Sequence, residues 1–222
     1  MTDTLDPDRF SDRPEAGRYL ARLLEPFRSQ GPAVLGMARG GVPVAAEVAD
    51  ALDAPLDVVV VRKIGAPGHP EFGIGAIASG IQRLDETTMR RLGIPRHAVQ
   101  PIIDVEEREL VRRELVYRHG RPAIDLTNRI AIVIDDGLAT GLSARVAVEA
   151  VTARHPRDVV FAAPVCAPGG AERLGIGAFR VVCALTPPDF YAVGTYYEDF
   201  SPTEDAEVIA LLDAAARRAS AR

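Results

Sequence analysis

Ile130-Ala131-Ile132-Val133-Ile134-Asp135-Asp136-Gly137-Leu138-Ala139-Thr140-Gly141-Leu142-Ser143 is the stretch that sets the fold class of this chain. Its run of apolar, mostly β-branched residues predicts a strand covered on both faces, as in a parallel sheet. Two carboxylates follow at the strand tip. A turn of small residues then opens a helix whose Ala144, Ala147, Val148 and Val151 fall on one side. Backbone N–H groups of such a turn, with a helix N-terminus behind them and the Thr140 and Ser143 hydroxyls beside them, form an anion cradle. Carboxylates next to a phosphate repel it, so they need another role. Accepting hydrogen bonds from the vicinal hydroxyls of a sugar supplies one, at about 1.5–3 kcal/mol for each charged bond. Aspartate capping of the helix accounts for one acid but not for two acids and a Thr-Gly turn together.

The same alternation of strand and helix recurs outward from this stretch. Upstream, Ala33-Val34-Leu35-Gly36 leads into the glycine-rich turn Met37-Ala38-Arg39-Gly40-Gly41 and a helix with Ala45, Val48, Ala49 and Leu52 on one face, and Asp57 to Val61 is a second apolar strand. Leu20, Leu23, Leu24 and Phe27 repeat at helical spacing and predict an amphipathic helix ending before Gly31-Pro32. Downstream, strands are expected at Val159–Val165 and Val181–Leu185, and Val208, Leu211, Leu212 and Ala215 mark a final helix. Ile64 to Gly80, with five glycines and two prolines, reads as a long mobile loop running into a weak strand. Pro95 to His119 is charged and helical with Ile103, Leu110, Val111 and Leu115 as its apolar side, which reads as a solvated helix, a dimer contact or a substrate-binding insertion. The expected fold is α/β: a Rossmann-like, mostly parallel sheet flanked by helices, with a small hood or cap and an inserted helix. With no repeat or linker, a single domain over 1–222 is expected. Its core lies at about 31–200, the inserted helical segment at about 83–122, and the C-terminal hood and helix at about 186–222.

Composition narrows the function. At 222 residues, 47% hydrophobic and 26% charged, the chain has the make-up of an ordinary globular domain. A net charge of −5 argues against nucleic acid as a partner, because phosphate affinity comes from clustered Lys and Arg. No apolar window is long enough for a membrane span, and the start, Met1 to Asp8, is acidic where a secretory signal is basic and then apolar, so a cytoplasmic location is expected. Cys166 and Cys183 lie in separate apolar runs without Cys-x-x-Cys spacing and read as buried thiols rather than a disulfide. There is no G-x-x-x-x-G-K-[ST], no nucleophile elbow, and His69, His97, His119 and His155 show no metal-ligand spacing. Of 26 basic residues 25 are arginine, and the one lysine is Lys63, directly after the second strand.

The run Ile130 to Ala144 resembles the ribose-5-phosphate-binding signature of type I phosphoribosyltransferases: apolar residues, two acids, two small or apolar residues, then Ala-Thr-Gly and a hydroxyl residue. Gly36 to Pro43 is similar to that family's pyrophosphate loop, and Val61-Arg62-Lys63 resembles the Arg-Lys at the head of the mobile loop in adenine and orotate members. Tyr191-Ala192-Val193-Gly194, followed by Glu198 and Asp199, looks like the purine-clamping segment of hypoxanthine-guanine members. The resemblance implies that Asp135 and Asp136 hold the ribose hydroxyls and that Gly137 and Ala139-Thr140-Gly141-Leu142-Ser143 wrap the 5-phosphate. It implies that Arg39 and the Gly40 amide face pyrophosphate, that Arg62 and Lys63 close over it, and that Tyr191 stacks on the base. It also implies a Mg2+ ion held mainly through substrate and water, with Asp135, Asp136 and Glu198 as its protein contacts. The partners implied are phosphoribosyl pyrophosphate and a nucleobase-like acceptor, bound by a homodimer.

Ala139 stands where 6-oxopurine members carry an aspartate, a departure that lowers the case for hypoxanthine or guanine. Phe190, Tyr191, Tyr196, Tyr197 and Phe200 place five of the chain's twelve aromatics within eleven positions, which suits either base stacking or packing at an edge of the core. The implied reaction is displacement of pyrophosphate from phosphoribosyl pyrophosphate. The alternative is a regulator that keeps the same site as a sensor without turnover.

Overall fold

A computed structural model describes residues 8–174 and 179–220; of the acidic leader, residues 1–7 lie outside the described residues. The strand Ile130–Ile134 (β6) is buried along its whole length and pairs in parallel on both sides. On one side lie Ala33–Ala38 (β1) and then Leu56–Val60 (β2). On the other lie Asp158–Val165 (β7) and then Phe179–Leu185 (β8), so the sheet order is β2-β1-β6-β7-β8. Side chains alternate across this sheet as strand geometry requires. Val34, Ile132 and Val160 enter one apolar layer, and Leu35, Val133 and Phe161 enter the other.

Helices cover both faces. Arg13–Leu24 (α1), Gly41–Ala51 (α2) and Asp205–Ser220 (α7) bury Leu20, Val48 and Leu212 in the first layer, whereas Leu142–Thr152 (α5) buries Ala144, Ala147, Val148 and Val151 in the second. A short helix, Gly170–Arg173 (α6), follows β7. The chain leaves β1 outward to β2 and, returning at β6, runs the opposite way through β7 to β8. The crevice between the carboxyl ends of β1 and β6 is therefore the switch point, where ligands of open α/β sheets bind.

Four expectations need correction. The first helix stops at Leu24, and Glu25–Gln30 continues as a 3-10 turn, because Pro26 cannot donate to the helical ladder. Phe27 is buried from that turn, and Leu23 is exposed. The segment expected to be a mobile loop forms Arg62–Ala66 (β3), His69–Ala78 (β4) and Ile81–Leu84 (β5), an antiparallel sheet. Its glycines serve close approach: a Cβ on Gly65 would lie 2.4 Å from the Pro70 carbonyl oxygen, and one on Gly75 would lie 2.6 Å from that of Arg83. Ala76 and Ala78 seat this sheet on Val146 and Ala150 of α5.

The inserted segment holds Glu86–Arg91 (α3) and the long helix Arg96–Arg118 (α4), whose buried side is Val99, Ile103, Leu110 and Tyr117, while Val111 and Leu115 face outward. It packs on β2, β3 and α7 as part of the core. Finally, Cys166 and Cys183 are joined as a disulfide. The parallel register that sets Val165 beside Leu185 carries Cys166 next to the β8 edge, a proximity that a sequence separation of 17 hides.

Candidate functional site

Asp135 and Asp136 leave the tip of β6, and Arg39 and Gly40 leave the tip of the adjacent β1, after a cis Ala38–Arg39 peptide. The two turns touch. A Cβ on Gly40 would stand 2.0 Å from Oδ2 of Asp136, and one on Gly41 2.4 Å from the Ile134 carbonyl oxygen, so the β1 turn fits against the acids only without side chains.

The acids differ in surroundings. Asp136 is held at both ends: Arg13 donates from Nε to its Oδ2 at 2.9 Å, and the Tyr197 hydroxyl donates to its backbone oxygen at 2.7 Å. Burial pushes its carboxyl up, and the Arg13 guanidinium opposes that shift. Asp135 accepts from the Asp136 amide at 3.0 Å. Burial pushes its carboxyl well above the usual carboxylate range, the neighbouring Asp136 charge adds to this, and Arg13 and Lys63 draw it back. Such a pair of half-buried carboxylates at a crevice mouth can accept hydroxyl donors or a hard cation.

The turn that links β6 to α5 lies beside them. Leu138 is pinned by its amide to the Val165 oxygen at 2.8 Å and by its oxygen to the Ala167 amide at 2.7 Å. Gly141 then takes a left-handed conformation (φ 86°) at the N-cap of α5, where no side chain caps the helix. The first turn of α5 thus opens toward the crevice beside the exposed Thr140 and half-buried Ser143. Leu142 packs toward the β3–β5 sheet and fixes the turn from behind.

Lys63 is exposed on β3, and its charge acts on Asp135. Arg62, next along the strand, points the other way and donates to Glu106 of α4 at 2.7 Å, as strand alternation requires. Arg39 turns toward α7, with Nη1 3.5 Å from Asp205 and 4.0 Å from Glu204; Asp205 also accepts from the Tyr117 hydroxyl at 2.8 Å.

The aromatic run forms the hood. Phe190 stacks on Tyr196, Tyr197 packs against Phe200 and Phe10, and Tyr191 alone of the five stays outside, 89% exposed. Val193 of this segment packs on Gly137. Glu198 is exposed, and its amide bonds to Phe10. Among the described residues no group of three or more His, Cys, Asp or Glu side chains could hold a metal. No helix among them is long and apolar enough to cross a membrane.

Arg13 escaped the sequence reading because its partner lies 123 positions away. One signal was present. Asp12 already caps α1, and a cation in the first turn of a helix opposes the helix dipole, so Arg13 is misplaced unless something else holds it.

A family model described as the phosphoribosyl transferase domain matches residues 12–200. Proteins of two Mycobacterium tuberculosis strains, provisionally named phosphoribosyl transferases, are 44% identical to the chain over 209 residues, covering 94% of this chain and 47% of each of theirs. The chain thus spans about half the length of the curated relatives it matches. The solved structure of TT1426 from Thermus thermophilus is 42% identical with a TM-score of 0.76, covering 92% of this chain and 97% of that one.

Proposed function

Because the chain belongs to the phosphoribosyl transferase domain family, we propose that it moves ribose 5-phosphate from phosphoribosyl pyrophosphate to a ring nitrogen of a nucleobase or related acceptor. The observation that carries this reading is the meeting of two half-buried carboxylates and the uncapped N-terminus of α5 at one crevice, within reach of the Lys63 charge. The turn Ala139 to Ser143 takes the 5-phosphate on backbone N–H groups, and Asp135 and Asp136 accept from the ribose hydroxyls. Displacement forms the C1–N bond and breaks the C1–O bond, whose electron pair leaves with pyrophosphate while the acceptor nitrogen releases its proton. Lys63 and the Gly40 turn stabilise the charge that grows on the departing group. The Asp135 carboxylate, half-buried at the crevice, fits contact with a magnesium ion or its waters. When bound, that ion neutralises pyrophosphate. Tyr191, the exposed ring of the hood, offers a stacking face to the acceptor.

The position of Lys63 supports turnover over a sensor, since a protein that only reads ribose phosphate needs the cradle but no cation for departing pyrophosphate. The test is pyrophosphate release from phosphoribosyl pyrophosphate and magnesium with adenine, guanine, hypoxanthine, xanthine, uracil and orotate in turn. Release with one of them is expected. Tight binding without release from any base would favour the sensor, and no binding would remove the reading altogether.

Lys63→Arg is expected to keep the fold and slow turnover by about tenfold, because a compact ammonium meets a departing phosphate as a point charge, whereas a guanidinium needs a fixed fork. Single-turnover rates check this, and wild-type rates in the variant would make the lone lysine incidental.

A further inference from the structure

We propose that Arg13 is a positioning residue of the ribose site, committing Oδ2 of Asp136 to the hood and leaving Oδ1 for one ribose hydroxyl, with Asp135 taking the other. This rests on the ribose-binding reading above.

Arg13 makes three contacts around one buried side chain. Nε donates to Asp136 Oδ2 at 2.9 Å, Nη1 donates to the Ser201 backbone oxygen at 2.8 Å, and the guanidinium lies 4.0 Å from the centre of the Phe200 ring. Arg13 is only 9% exposed. Helix formation does not call for it, since Asp12 supplies the N-cap bond to the Glu15 amide and a cation there opposes the dipole. Nor is a buried ion pair an efficient way to gain stability, because desolvation offsets most of its attraction. What such a pair does well is fix one geometry. Here it orients a carboxylate whose Oδ2 also lies where a side chain on residue 40 would stand.

The hood reaches the acid as one unit. The Phe10 amide bonds to the Tyr196 oxygen at 2.9 Å, the Glu198 amide to the Phe10 oxygen at 2.8 Å, and the Asp199 amide to the Ser11 oxygen at 2.9 Å. Arg13 and Tyr197 therefore approach Asp136 from two stitched segments, and the acceptor-facing hood and the sugar-facing acid share a frame. A hydroxyl that meets an Oδ1 held in this way finds its acceptor already aimed, so little ordering cost remains on binding.

Calorimetric titration with ribose 5-phosphate and, separately, with magnesium pyrophosphate tests this on wild type, Arg13→Ala, Arg13→Lys, Asp136→Asn and the Arg13→Ala/Asp136→Asn double variant. Arg13→Ala is expected to weaken ribose 5-phosphate about tenfold, the scale of one charge-assisted hydrogen bond, and to leave pyrophosphate within about twofold. Arg13→Lys should recover part of the loss, and the double variant should bind no more weakly than Asp136→Asn. Unchanged ribose 5-phosphate affinity in Arg13→Ala, equal losses for both ligands, or losses that add in the double variant would overturn the proposal. Should Arg13→Ala not fold, Arg13→Lys against Asp136→Asn carries the comparison. If wild type binds neither ligand, the functional reading fails instead. The pairing is then judged without ligand, from the Arg13 Nε–H resonance, which should move on Asp136→Asn; a resonance that stays in place would dismiss it.

Discussion

Gly40→Ala is expected to weaken binding of phosphoribosyl pyrophosphate by about 100-fold while the chain stays folded. Gly40 sits at φ −61° and ψ −28°, a conformation any residue adopts, so the backbone has no objection to a side chain. Space does. The added Cβ would stand 2.0 Å from Oδ2 of Asp136, 2.8 Å from its Cγ and 3.2 Å from Nε of Arg13. The carboxylate can turn away, which spares the fold, but turning breaks the Arg13 bond and takes Oδ1 off the sugar. The loss therefore exceeds that of removing Arg13, which leaves the carboxylate in place. At Gly41, by contrast, the obstacle is the Ile134 backbone oxygen at 2.4 Å, which has no rotamer to escape into. Affinity is measured by calorimetry alongside a thermal melt. Wild-type affinity in the variant would mean that the Asp136 carboxylate swings freely and is not the sugar's anchor.

Strands β1, β6 and β7 were legible because burial on both faces writes an uninterrupted apolar run, a pattern that loops do not produce, and the edge strands β2 and β8 were legible from their β-branched runs although Asp57 and Arg180 interrupt them. The acids and the small-residue turn after β6 were legible for a related reason: a strand tip in a parallel sheet has one place to point. The β3–β5 sheet was not, since glycine and proline mark a flexible loop and a tightly apposed hairpin alike, and only the neighbours of Gly65 and Gly75 decide between them. Arg62 and Lys63 read as a pair acting together, yet adjacent residues of a strand face apart, and Glu106 claims the first while Asp135 feels the second. Of the aromatic run, spacing could not separate rings that build the hood from the one left outside it. Long-range pairings such as Arg13 with Asp136 and Cys166 with Cys183 are set by topology, and local sequence does not name the partner, even where the ill-suited place of Arg13 in the first turn of α1 hints that one exists.

Asp57→Ala is expected to cost about 3–5 kcal/mol of folding stability, the toll of stranding buried charges. For a chain of this size that lowers the melting temperature by roughly 6–20 °C. Asp57 is a buried acid in β2, 4% exposed, and every bond it makes is inward: Arg118 Nε at 2.8 Å, the Ile124 amide at 3.0 Å and the Val58 amide at 2.8 Å, with Arg154 at 4.0 Å. Arg118 also donates to the Val58 oxygen at 2.9 Å, so the pair clamps the last turn of α4 onto the edge strand of the sheet. Removing the acid leaves two guanidinium groups and two amides facing a gap. Asp57→Asn keeps an acceptor for one amide and should fall between wild type and alanine, which separates the charge from the hydrogen bonds. Because Asp57 lies toward the amino end of β2 and the crevice at the carboxyl ends, ligand affinity per folded molecule should hold. A loss below about 1 kcal/mol, the scale of an exposed pair, would mean that α4 docks through its apolar side alone. The clamp matters to the site at one remove, because the same helix presents Tyr117 to Asp205 and Asp205 to Arg39, so the segment that reads as an insertion also braces the turn beside the acids.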